Sequence, residues 1–111
     1  MHYIVIKSHT ASYSEALIAS KGRRLRFERK PTEWQGWLWC TAADGKTGWV
    51  PESWVEIEDE TCTLLRDYTT AELTVAVGEH LEGEIIESGW LWARTEPGAW
   101  GWVPMECVRP T

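Results

Sequence analysis

Gly36-Trp37-Leu38-Trp39 and Gly48-Trp49-Val50-Pro51 decide how this chain is read, because both stretches recur. They return as Gly89-Trp90-Leu91-Trp92 and Gly101-Trp102-Val103-Pro104, each offset by 53 residues. Upstream, Leu17, Gly22 and Leu25 match Leu73, Gly78 and Leu81 at an offset of 56, so one loop, Glu28 to Gln35, is three residues longer in the first copy. A fixed internal period is the mark of repeated structural units. In a chain of 111 residues it implies two units of about 55 residues, with boundaries expected at 1–57 and 58–111. Units that small sit near the lower limit for folding alone.

Each copy reads as short strands with no helical period. Leu25 and Phe27 alternate with Arg24, Arg26 and Glu28, and Leu38 and Cys40 alternate with Trp37 and Trp39. Period-two alternation describes a strand with one face inward and one outward. Asp44-Gly45 and Pro97-Gly98 mark equivalent tight turns. Pro51 and Pro104 close their strands, since proline cannot donate to a ladder. The expected fold is all-β: two tandem five-stranded barrels. Glu56 to Thr61, with no Gly/Ser or Pro tract, is expected to join them as a short rigid linker.

With these residues in place, the chain resembles the Src homology 3 (SH3) domain twice over. Leu64-Leu65-Arg66-Asp67-Tyr68, Glu72-Leu73-Thr74, Gly78, Trp90-Leu91-Trp92-Ala93 and Gly101-Trp102-Val103-Pro104 to Val108 are similar to the family's successive motifs. Val5-Ile6-Lys7-Ser8-His9, Ala16-Leu17-Ile18, Gly22, Trp37-Leu38-Trp39-Cys40 and Gly48-Trp49-Val50-Pro51 to Val55 take those places in the first copy. The resemblance implies a peptide groove in each copy. It would be formed by His9, Trp37, Pro51 and Trp54 in the first, and by Tyr68, Glu72, Trp90 and Pro104 in the second. Lys7 and His9 stand at the two motif tyrosines of the first copy; Arg66 and Cys107 replace groove tyrosines in the second. Fewer groove aromatics point away from an ordinary proline-rich ligand.

Nine tryptophans are more than small interiors absorb. The outer ones either line a recognition surface or pack unit against unit, and the sequence leaves Trp34 and Trp100 without a role. Residues 1–57 carry eight basic and six acidic side chains, a net of +2; residues 58–111 carry three and eleven, a net of −8. Lys21, Arg23, Arg24, Arg26, Arg29 and Lys30 cluster around one strand. They form either an anion or nucleic-acid patch or a solvated strand face. The solvated face is favoured, because nucleic-acid binders carry a clear basic excess.

The histidines His2, His9 and His80 have no motif partners for metal or nucleophilic chemistry, and no glycine-rich phosphate loop is present. No enzyme, cofactor or metal is expected. No apolar run approaches the roughly 20 residues of a spanning helix, and an odd count of three cysteines reads as reduced thiols. The expected protein is cytoplasmic and non-catalytic. Its partner is a protein or peptide, with a basic ligand suited to the acidic second copy and Glu72. Nucleic-acid or anion binding and a purely structural role are the alternatives.

Overall fold

The computed structural model describes residues 1–11, 16–30 and 35–111. Trp34 and Glu15 lie outside them. Among the described residues, twelve strands account for nearly all regular structure: β1 (His2–Val5), β2 (Ile18–Ala19), β3 (Arg24–Glu28), β4 (Trp37–Thr41), β5 (Thr47–Pro51), β6 (Val55–Glu58), β7 (Thr61–Leu64), β8 (Tyr68–Thr69), β9 (His80–Glu87), β10 (Trp90–Thr95), β11 (Trp100–Pro104) and β12 (Val108–Pro110). Single 3-10 turns over Glu52–Trp54 and Met105–Cys107 occupy equivalent places in the two copies.

The hairpins follow the repeat. β4 and β5 pair from Trp37↔Pro51 to Thr41↔Thr47, and β10 and β11 pair from Trp90↔Pro104 to Arg94↔Trp100. In both connecting loops the glycine, Gly45 at φ +86° and Gly98 at φ +103°, holds a left-handed conformation that side chains resist. Gly45 N donates to Ala42 O and Gly98 N to Thr95 O, so the two turns are built alike. The shorter loop of the second copy lets β9 run on to Glu87, whereas β3 stops at Glu28.

The strands group into units that differ from the contiguous halves 1–57 and 58–111. One unit is Met1–Ser14 with Ala71–Thr111; the other is Glu15–Thr70. In the first, the sheet order is β11-β10-β9-β1-β12; in the second it is β5-β4-β3-β7-β6, with a separate β2-β8 pair. The first strand of each copy therefore sits in the sheet formed by the rest of the other copy. β1 pairs with β9 through Tyr3↔Leu81 and with β12 through Val5↔Val108. β7 pairs with β3 through Leu25↔Cys62 and with β6 through Val55↔Leu64.

A two-residue turn explains this. Glu58 faces Thr61 across the β6–β7 ladder, and Asp59, at φ +52°, takes the left-handed geometry that two-residue hairpin turns require. The segment expected to be a rigid linker is therefore a hairpin inside the Glu15–Thr70 unit. With β7 folded back onto β6, the corresponding place in the other sheet falls to β1.

Each unit has its own interior. Tyr3, Val5, Leu73, Val75, Leu81, Leu91, Ala93, Val103, Cys107 and Val108 form one buried cluster. In the other unit Leu17, Leu25, Leu38, Val50 and Leu64 are at most 1% exposed. Fully burying such a side chain is worth about 1.5–3 kcal/mol. All three cysteines are free and buried. Cys40 and Cys62 place their sulfurs 4.0 Å apart. The hydrogen bond to Cys62 and burial push the Cys40 thiol up, and burial, aided by the nearby Glu106, pushes Cys107 up. Because all three thiols are at most 2% exposed, a thiol reagent at pH 8 is expected to modify the native protein very slowly, and all three thiols at once after denaturation without a reductant. Rapid native labelling, or fewer than three thiols on denaturation, would contradict this.

Candidate functional site

In the unit Met1–Ser14 with Ala71–Thr111, β10 begins at Trp90, and the ladder sets Trp90 opposite Pro104. His9, in the segment after β1, forms an isolated bridge to Val75, with backbone bonds in both directions. That anchor turns its ring toward Trp90, edge to face at 6.0 Å between centroids. His9 Nε2 lies 2.8 Å from Glu72 Oε1, and the two side chains are only 19% and 12% exposed. Glu72 is itself held by the strand-like run beside β11, where Leu73 N donates to Trp102 O and Trp102 N to Ala71 O. His9, Glu72, Trp90 and Pro104 thus converge, each half-buried. The surface is apolar with one carboxylate, and that carboxylate is already engaged by an imidazole. Lys7, at the other motif position, is exposed and reaches Glu106 at 3.9 Å.

In the unit Glu15–Thr70 a second quartet forms from Trp37, Pro51, Trp54 and Tyr68. Trp37 faces Pro51 in the ladder. Trp54 meets Tyr68 edge to face at 5.3 Å, and the Tyr68 hydroxyl donates to Trp49 O at 2.7 Å. The Arg66 guanidinium lies 4.5 Å above the Trp54 ring. Trp54 and Tyr68 are 6% and 3% exposed and Pro51 is buried, so this quartet is a packed cluster with Trp37 at its edge.

The eight candidate residues therefore gather in two fours, but His9 and Tyr68 have changed places relative to the expected grooves. The Tyr68, Glu72, Trp90 and Pro104 grouping is corrected: strand exchange carries Tyr68 to Trp54 and brings His9 to Glu72. The resemblance gives each residue an expected groove position, while the β6–β7 turn determines which sheet it joins.

The outer sheet faces carry further aromatics. Trp39 and Trp49 are cross-strand partners at 5.1 Å, with Lys30 Nζ 4.6 Å above Trp39. Trp92 and Trp102 repeat that pair at 5.1 Å, and Trp100 stacks on Trp92 at 5.7 Å with planes 15° apart. Alternation anticipates the outward direction of Trp37 and Trp39, yet Trp92 and Trp102 are both only 3% exposed. Three of the six basic residues in and around β3 face carboxylates: Arg29 bonds Glu52 at 2.8 Å, Lys30 lies 3.8 Å from Glu28, and Arg24 lies 4.0 Å from Glu58. The Arg29 hydrogen bond holds the Glu52 carboxyl below its ordinary range.

A family model for the variant SH3 domain matches residues 2–58. The match spans half of the chain, which belongs to that family. It runs across both packed units, taking in β1 from one and β2 to β6 from the other. No curated protein and no solved structure matches the chain significantly. The SH3 fold is that of a protein-interaction module, generally non-catalytic. No helix among the described residues is long and apolar enough to cross a membrane.

Proposed function

We propose that the protein is a non-catalytic peptide- or protein-recognition module, made of two SH3-like copies that exchange their first strands. Its recognition surface centres on Trp90, flanked by His9, Glu72 and Pro104. The observation that carries this reading is the contrast between the two quartets. The Trp90 group is half-buried and accessible, whereas Trp54 and Tyr68 are closed off. Exposed aromatic clusters mark interaction sites, and Trp is prominent among binding hot spots.

A basic ligand suits this surface. Its unit carries seven acidic and three basic side chains, a net of −4, which speeds the encounter with cations. Nucleic-acid binding through β3 is disfavoured. The unit that holds β3 counts ten acidic against eight basic residues, and three of its basic side chains already face carboxylates. Three buried free cysteines support a reducing, cytoplasmic setting.

The test is a screen of arrayed peptides containing Lys or Arg beside apolar residues, followed by titration calorimetry at low and high salt. Trp90→Ala is expected to weaken the best binder by about 2 kcal/mol or more. Glu72→Gln is expected to cost about 0–1 kcal/mol, as for other single ion pairs. Circular dichroism provides the folding control. Equal binding by wild type and folded Trp90→Ala defeats the proposal.

A further inference from the structure

His2 and His80 stand 78 residues apart and belong to no motif, yet β1–β9 pairing sets them side by side. His2 faces Glu82 and Ile4 faces His80 in the ladder, so the two imidazoles occupy neighbouring positions on one sheet face. His2 Nε2 lies 2.8 Å from His80 Nδ1, with ring centroids 4.9 Å apart. The other His2 nitrogen, Nδ1, lies 3.7 Å from Glu82 Oε2. The group opens onto a cleft of about 380 Å³, also lined by Arg94, Thr95 and Glu96.

We propose that His2 and His80 form a surface site for one divalent transition-metal ion of the kind that prefers imidazole, such as Zn²⁺, Ni²⁺ or Cu²⁺. Metal–imidazole bonds of about 2.0–2.1 Å place adjacent ligating nitrogens roughly 2.9–3.4 Å apart. The 2.8 Å separation reaches that range with a few tenths of an ångström of opening. Glu82 supplies the orienting contact. Ligating histidines usually give their second N–H to a carboxylate, which fixes the tautomer and the ring direction. With the His2 proton on Nδ1, toward Glu82, Nε2 is left to ligate. His80 then carries its proton on Nε2 and ligates through Nδ1. In the metal-free pair one of the two facing nitrogens carries the proton of their 2.8 Å hydrogen bond, and the metal displaces it to that ring's other nitrogen or to water. Among the described residues no group of three or more metal-ligating side chains is assembled. The site thus supplies two protein nitrogens and leaves the remaining positions to water. The site depends on strand exchange, because His2 belongs to the first copy and His80 to the second.

The probe is Zn²⁺ alone, titrated into the full chain and followed by calorimetry and by NMR of the imidazole and backbone signals. A short N-terminal extension keeps the α-amino group, which bonds Glu82 Oε1 at 3.0 Å, from acting as a ligand. One saturable Zn²⁺ per chain is expected, with shifts confined to His2, His80 and Glu82. His80→Ala, at an exposed position, is expected to lose that binding while its circular dichroism is unchanged. Glu82→Gln is expected to weaken binding about tenfold, the low end for an orienting partner. Absence of saturable binding overturns the proposal. So does binding that survives in His80→Ala, or shifts that map elsewhere.

Discussion

Tyr3→Ala is expected to destabilise the protein by about 3–5 kcal/mol, and to do so in the half of the sequence farthest from it. Tyr3 is 4% exposed and packs with Leu81, Leu91, Val103 and Val108. Its ring lies so close to Gly83 that a Cβ there would fall 2.7 Å from Tyr3 Cδ1. Removing a buried ring leaves a cavity whose walls relax only in part, hence the magnitude. A domain of ordinary stability holds about 5–15 kcal/mol in total, so the loss is a large share. Urea denaturation measures the cost. Native-state hydrogen exchange locates it, because each segment opens with its own free energy. Protection is expected to fall at Leu81, Leu91 and Val108 before it falls at Leu25, Leu38 and Val50. Two contiguous units would give the reverse order, and that result would refute strand exchange.

Leu64→Ala is the reciprocal experiment, with an expected cost of about 2–5 kcal/mol. Leu64 is 1% exposed, faces Val55 across the ladder, and exchanges backbone bonds with Gly22 and Arg23. The amides of Gly22, Leu25 and Val55 are expected to lose protection first. Early loss at Leu91 and Val103 would return Leu64 to the second copy. The two variants together are stronger than either, since each predicts damage in the half that its own sequence position does not indicate.

Much of the local structure is legible in the residues. The repeat and the Asp44-Gly45 and Pro97-Gly98 turn signals anticipate both hairpins, and alternation anticipates the outward direction of Trp37 and Trp39. The partner of each first strand is not legible. Tyr3 and Val5 alternate with His2 and Ile4 as Cys62 and Leu64 alternate with Thr61 and Thr63, so either strand presents an acceptable inward face to either sheet. Periodicity fixes a strand's faces but not its neighbours. What settles the matter is the turn at Asp59-Glu60. Its hairpin is masked because Glu56, Ile57 and Glu58 are all exposed and show no alternation.

The charge asymmetry misleads for the same reason. Counted over the packed units, the +2 and −8 of the contiguous halves become −2 and −4. The basic strand faces the acidic residues of the β6–β7 hairpin and the 3-10 turn that precedes it. The candidate site is legible in part: the resemblance singles out His9, Glu72, Trp90 and Pro104, but their meeting depends on the exchange. The His2–His80 pair carries no sequence signal, because its members are brought together only by the register of β1 on β9.

The interleaving of strands also sets an order of events during synthesis. β1 leaves the ribosome long before its two ladder partners, β9 and β12, which come from residues 80–87 and 108–110. The Glu15–Thr70 unit is continuous in sequence and has all of its strands once residue 70 has emerged. Throughout that interval Tyr3 and Val5 belong to a strand with no sheet to join. Unpaired strand edges and uncovered apolar side chains are what draw a nascent chain into aggregation or into the hands of a chaperone. Contacts this distant in sequence also slow the search for the native state. The pairing of β1 with β9 and β12 is therefore the step expected to come last as the chain folds.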